Sequence, residues 1–230
     1  MTESPIRDAA TIILVRDPKH RPQVLMGQRG TRAAFMPNKF VFPGGAVDPA
    51  DGGVRLAVPL ADICATRLGL ASTHQKSDGL VAAAIRELWE EAGLILGVAG
   101  AWDGPVPQGW REFAATGHLP SAAGLHFVFR AITPPGRTRR FDARFFLVDA
   151  SHLAGDADDF ACASDELSHL QWVALEQVRS FNLPFITEVV LAEISAALPH
   201  IGPPGSVPFF NNSGAHSQFE RLGAPSPRER

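Results

Sequence analysis

The sequence predicts an α/β fold, one compact domain with an extension, on three observations. Short β-branched and apolar runs are separated by turn formers, two long segments carry a helical period, and the 230 residues are 45% hydrophobic and 20% charged. Residues 9–16 (AATIILVR) and 23–29 (QVLMGQR) read as a strand pair around the turn-forming stretch 17–22. Residues 39–42 form a third strand, stopped where Pro43 removes a backbone donor and Gly44 and Gly45 let the chain turn sharply. A loop able to expose its own carbonyls is expected next, then a short helix around 60–68. From 79 to 91 the period is helical, with Ser77 or Asp78 available as N-cap and Gly93 as the stop. Val81, Ile85, Leu88, Trp89 and Ala92 share one face, which packs on a sheet. A helix at 110–116, strands at 125–132, 143–148 and 170–173, and a Pro-led amphipathic helix at 184–198 follow. The domain is expected to span 1–199. Gly, Pro, Ser and Asn then dominate, so 200–230 reads as a tail, with Phe209 and Phe210 docking on the domain or on a second subunit.

Charge narrows the function classes. With 21 Lys and Arg against 24 Asp and Glu the net charge is −3, which leaves no electrostatic excess to hold a nucleic acid or an anionic membrane. No apolar run approaches the ~20 residues that cross a bilayer, and the first residues lack a signal-peptide pattern. A cytoplasmic protein acting on a small molecule is expected. Cys64 and Cys162 form neither a disulfide framework nor a metal-binding Cys-x-x-Cys.

The informative stretch is 86–94, Arg-Glu-Leu-Trp-Glu-Glu-Ala-Gly-Leu. Spacings of three and four place Glu87, Glu90 and Glu91 in one narrow sector of the helix, roughly opposite the apolar face and therefore turned away from the packed side. Each like-charged pair costs about 0.2–0.5 kcal/mol on an exposed helix. A divalent cation converts that repulsion into ligation. Hard oxygen donors one turn apart suit Mg²⁺ or Mn²⁺, which take few carboxylates and complete their shells with substrate phosphates and water. Spacing alone also allows a solvated acidic face.

With Phe42-Pro43-Gly44-Gly45 ahead of it, this stretch resembles the Nudix box, Gly-x5-Glu-x7-Arg-Glu-U-x-Glu-Glu-x-Gly-U, where U is a bulky aliphatic residue. Arg86 to Leu94 match every specified position of its second half. Gly45 matches the first half, with Asp51 where the family usually has Glu. Thirty-four residues separate Asp51 from Arg86 where seven are usual, so the box carries a 27-residue insertion, residues 52–78. Arg140 to Phe146 leading into a strand, and Asp165 to Val173 leading to a final helix, extend the resemblance over about residues 8–198. The split box and the Phe145-Phe146 strand look most like the branch containing acyl-coenzyme A diphosphatases.

The resemblance implies a Nudix-type α/β/α sandwich with a mixed sheet. It also implies divalent-metal-dependent hydrolysis of the diphosphate bond in a nucleoside diphosphate linked to another moiety. Coenzyme A or its acyl esters are favoured, then NAD(H) or ADP-ribose; a Nudix-fold module that senses such a ligand without cleaving it is the reading from another class. Carried over by position, Glu87, Glu90 and Glu91 hold Mg²⁺ or Mn²⁺ with the Gly45 carbonyl, and Arg86 ion-pairs with a box carboxylate and fixes its rotamer. Glu87 is the first choice for general base and Glu166, in the acidic stretch 155–166, the second. Arg29 and Phe35, with Gly44 and Gly45, are expected against substrate. The apolar residues of the insertion, Val54, Leu56, Val58, Leu60, Ile63, Leu68 and Leu70, are expected to cover the domain, line a groove or meet a partner subunit, and a homodimer stays open.

Overall fold

The computed structural model describes residues 4–72, 77–214 and 216–224. Its strands are β1 (Ile6–Arg16), β2 (Gln23–Arg29), β3 (Phe40–Val41), β4 (Gly44–Ala46), β5 (Gly97–Ala99), β6 (His118–Pro120), β7 (His126–Ile132), β8 (Arg140–Asp149), β9 (Leu167–Ala174), β10 (Val207–Asn211) and β11 (Gln218–Leu222). The helices are α1 (Asp62–Gly69), α2 (Ser77–Ala92), α3 (Arg111–Ala115) and α4 (Phe185–Ala197).

β1 is apolar on both faces because it is covered on both. Ala10, Ile12 and Leu14 point into one core with α2, and Ile13 and Val15 into the other with Val190, Leu191 and Ile194 of α4. A strand buried between two layers has no polar alternation to show. β1 pairs parallel with β8 and antiparallel with β2 and β4. Among the described residues the sheet runs β11-β10-β7-β8-β1-β2-β3, with β4 added on β1 and β9 on β2. The result is the α/β/α sandwich with a mixed sheet, plus a small β5-β6 ribbon that the sequence reading did not anticipate.

Three expectations change. The loop after Pro43 is instead the strand β4, in register with Ala9–Thr11. It comes so close that a Cβ on Gly44 would lie 2.6 Å from the Ala10 carbonyl oxygen. The expected tail is sheet between 207 and 222: β10 joins β7 in parallel and β11 closes a hairpin on it, with Val207, Phe209 and Leu222 buried. Its Gly and Pro content misled because the strand it pairs with lies some eighty residues earlier in the chain. Both capping candidates, Ser77 and Asp78, fall inside α2 as it forms, and the position before the helix lies outside the described residues.

The insertion leaves and returns at one point, for a Cβ on Gly79 would stand 3.3 Å from Gly52 Cα. Of its described residues, Val54, Leu60, Cys64 and Leu68 join the core on the α2 side, while Val58, Ile63 and Leu70 are exposed. Arg67 of α1 donates to the carbonyls of Pro204 and Gly205, tying the insertion to the lead-in of β10. Residues 73–76 of the insertion lie outside the described ones. No helix among the described residues is long and apolar enough to cross a membrane.

Because Phe209 is fully buried beneath Arg130 in the main core, Phe209→Ala is expected to cost about 3–5 kcal/mol in urea unfolding. A loss below about 1 kcal/mol would show that the C-terminal hairpin is peripheral.

Candidate functional site

α2 is buried along 79–89, which corrects the expectation that its acidic sector turns outward. The helix packs on β1, while β4 and the 3₁₀ turn Pro49–Gly53 cover the side expected to face solvent. Glu87 is 8% exposed and Glu91 1%, and Glu90 is half-buried. Only a strong local cation makes such a concentration of carboxylates tolerable.

That cation is Arg86. Its Nε and Nη2 donate to the two oxygens of Asp51, each at 3.0 Å, as a parallel fork. Nη1 donates to Glu87 Oε1 at 2.9 Å and to Glu90 Oε2 at 2.8 Å, and Nη2 also reaches the Ala46 carbonyl at 3.0 Å. All five guanidinium donors are thus used. Burial works against the charge on Arg86, but Asp51, Glu87 and Glu90 outweigh it and push its pKa up. Asp51, wholly buried, also accepts from Trp110 Nε1 at 3.0 Å and from the Asp48 backbone N–H at 2.8 Å.

Glu91 accepts from the Gly44 N–H at 2.7 Å. Gly45 runs so close to Glu87 that a Cβ there would stand 2.5 Å from its carboxylate and would push it out of place. Burial raises the Glu87 carboxyl to about 7, against the pull of Arg86. Burial likewise raises Glu91 to about 8, with the Gly44 N–H and the charge of Arg29 opposing it and Glu87 and Glu166 adding to it. Glu90 is also raised, first by burial.

The donor set fits a divalent cation. Arg86 and Gly44 occupy one oxygen each of Glu87, Glu90 and Glu91, and the elevated pKa values mark carboxylates short of positive charge. Among the described residues no three His, Cys, Asp or Glu side chains converge into a closed cage. Mg²⁺ requires none, since it keeps waters and takes one or two carboxylates together with substrate phosphates.

The structure therefore gathers Arg86, Glu87, Glu90, Glu91, Gly44 and Gly45. Arg29 stands close enough for its charge to act on Glu91, and its Nε is buried without a hydrogen-bond partner. Glu166 is exposed, yet its charge reaches Glu87, Glu90 and Glu91; its loop docks on the end of α2 through the Ser164 N–H, which donates to the Glu90 carbonyl at 2.8 Å. Phe35 instead meets Phe141 edge-on at 5.2 Å. Sequence reasoning missed Trp110, which lies 59 residues from Asp51 with no spacing to link them. The one available signal was that a buried Asp needs donors beyond its arginine.

A carboxyl raised in the fold binds a proton that the unfolded chain releases, so it destabilises the native state as pH climbs from the model-peptide value of 4.5 through the folded values near 7 and 8. In chelator, Glu87 and Glu91 are expected to lower the Tm by several degrees between pH 5 and 8.5, at about 2–4 °C per kcal/mol. Mg²⁺ or Mn²⁺ is expected to raise the Tm more at pH 8 than at pH 5.5. An equal cation effect at both would contradict this electrostatic reading.

Comparison with known proteins places this geometry. A Caenorhabditis elegans protein carrying the designation nudix hydrolase 7 is 31% identical over 179 residues, 73% of this chain and 51% of that protein, so the chain spans about half the length of this curated relative. The crystal structure of a NUDIX hydrolase from Alicyclobacillus acidocaldarius superimposes with a TM-score of 0.63 at 26% identity, covering 84% of this chain and 92% of the other. The sequence profile of the NUDIX domain matches residues 5–194, and with most of its length inside that match the chain belongs to the Nudix family.

Proposed function

We propose that the chain hydrolyses the diphosphate bond of a nucleoside diphosphate linked to another moiety, in a reaction dependent on Mg²⁺ or Mn²⁺. The observation that carries this reading is the buried carboxylate cluster organised by Arg86 and left short of positive charge beside an unpartnered Arg29 donor. Glu87, Glu90 and Glu91, with the Gly45 carbonyl, are the groups that would hold the ion. A bound divalent cation supplies charge neutralisation on the diphosphate and acidifies water.

The protein's own groups do the rest. Arg86 fixes the carboxylates, and the Arg29 guanidinium, whose charge already reaches Glu91, is the cation placed to meet a phosphate oxygen. Glu87, which lies in the cluster beside Arg86, is the first candidate to take the proton from the attacking water. Glu166 is the second candidate. Water adds to phosphorus, the bridging P–O bond breaks, and two phosphate-bearing products leave. Coenzyme A or an acyl-coenzyme A is the favoured conjugate, supported by the resemblance of the split box and the Phe145-Phe146 strand to the acyl-coenzyme A diphosphatase branch.

The test is turnover of a panel of conjugates (coenzyme A, an acyl-coenzyme A, NADH, ADP-ribose) with Mg²⁺ and with Mn²⁺, identifying the two products. Glu91→Gln is expected to lower kcat by at least about 10²-fold while the fold persists. Turnover undiminished by that substitution or by excess chelator would sink the mechanism.

A further inference from the structure

We infer that Trp110 is a positioning residue for the carboxylate cluster, acting through Asp51 and Arg86; the inference rests on the hydrolytic reading above. Asp51 receives four N–H donors: two from Arg86, one from the backbone of its own turn at Asp48, and the indole of Trp110 at 3.0 Å. Three of these come from the box or its immediate flank. The fourth comes from a separate segment, the 3₁₀ turn Gln108–Trp110 that leads into α3.

The geometry defines what that donor does. A carboxylate held by one arginine fork can still tilt together with the guanidinium, since both planes move as one. The indole N–H on Oδ1, acting with the Asp48 N–H on Oδ2, holds both ends of the Asp51 carboxylate and so the plane of Arg86. The ring is packed on all sides: Trp110 is wholly buried, edge-on to Phe113 at 5.3 Å and beside Trp102 at 5.8 Å. The same turn also braces the arginine directly, for a Cβ on Gly109 would lie 3.6 Å from Arg86 Cδ. With the guanidinium plane fixed, Nη1 can aim only at Glu87 and Glu90. The rotamers of those two carboxylates, and the direction of the oxygens that Arg86 leaves free, therefore depend on an N–H that lies outside the sequence motif.

Trp102 supplies an internal control. It belongs to the same aromatic group, but its indole donates to the His118 carbonyl at 2.9 Å and not to Asp51. Trp102→Phe and Trp110→Phe each delete one indole N–H while keeping an aromatic ring in place. A purely structural role predicts similar consequences for both; a positioning role separates them.

The experiment compares wild type, Trp110→Phe, Trp102→Phe and Asp51→Asn. Mn²⁺ binding is measured without substrate from the electron paramagnetic resonance signal of free Mn²⁺. kcat and KM are measured with saturating Mg²⁺ on the best conjugate, and Tm in chelator. Trp110→Phe is expected to weaken Mn²⁺ binding and lower kcat by about 10-fold or more, the scale on which partners that orient metal-binding carboxylates act, with KM changing less than twofold. Trp102→Phe is expected to leave Mn²⁺ binding and kcat within twofold of wild type, whatever it does to Tm. Asp51→Asn, which weakens the acceptor shared by the indole and Arg86, is expected to follow Trp110→Phe and replaces it if that variant does not fold. The inference is overturned if Trp110→Phe lowers Tm but matches Trp102→Phe in Mn²⁺ affinity and kcat. Failure of wild type to bind Mn²⁺ overturns it together with the metal reading. If wild type binds Mn²⁺ but cleaves no conjugate, the hydrolytic reading alone falls, and the Mn²⁺ comparison still decides the role of Trp110.

Discussion

The fork between Arg86 and Asp51 is the interaction on which the site depends. Three carboxylates, those of Asp51, Glu87 and Glu90, crowd around one guanidinium, with that of Glu91 buried on the same helix. A buried charge without a partner is costly, and one arginine cannot neutralise four acids. Asp51 takes the bidentate pairing, and Glu87 and Glu90 share the remaining arm. Glu91 receives no arginine donor and relies on the Gly44 N–H. Burial, which these donors do not offset, raises the carboxyl pKa values of Glu87, Glu90 and Glu91, and the missing positive charge is what a divalent cation can supply.

The rest of the fold serves to bring that group together from distant parts of the chain. α2 carries three of the acids and the arginine on one rigid element. β4, pressed against β1, brings two glycines to within touching distance of α2, and any side chain at Gly45 would occupy the place of the Glu87 carboxylate. The 3₁₀ turn after β4 adds Asp51, and the segment before α3 adds Trp110. The insertion can therefore be long without disturbing the site, because Gly52 and Gly79 meet at its base and closure entropy grows only slowly with loop length. Its described part is also anchored, with Arg130 donating to the carbonyls of Leu70 and Ala71 while forked onto Asp142.

Much of this was legible in the sequence where short-range periodicity carries the information. The helix expected at 79–91 forms as Ser77–Ala92, β2 has the expected limits, the strand at 125–132 forms as His126–Ile132, and the strand at 143–148 lengthens to Arg140–Asp149. What periodicity could not show was long-range pairing. β1 begins at Ile6 rather than at 9, since Asp8 is neutralised across the sheet by Arg144, a partner 136 residues away. β10 forms in a segment whose Pro208 argues locally against a strand. The cluster Glu87, Glu90 and Glu91 was visible from spacing, but its burial was not, because the elements that cover it are β4 and a turn with no apolar periodicity of their own. The coupling of Asp51 to Trp110 left no trace in spacing at all.

A double-mutant cycle between Asp51 and Arg86, read by urea unfolding in chelator at pH 6, tests the dependence of the site on this pair most directly. Asp51→Leu and Arg86→Met are each predicted to cost about 3–5 kcal/mol, because each leaves buried charge uncompensated. The double variant is predicted to cost little more than either single one, a coupling of at least about 2 kcal/mol. Additive losses would show that the two residues contribute independently and that the fork does not organise the site.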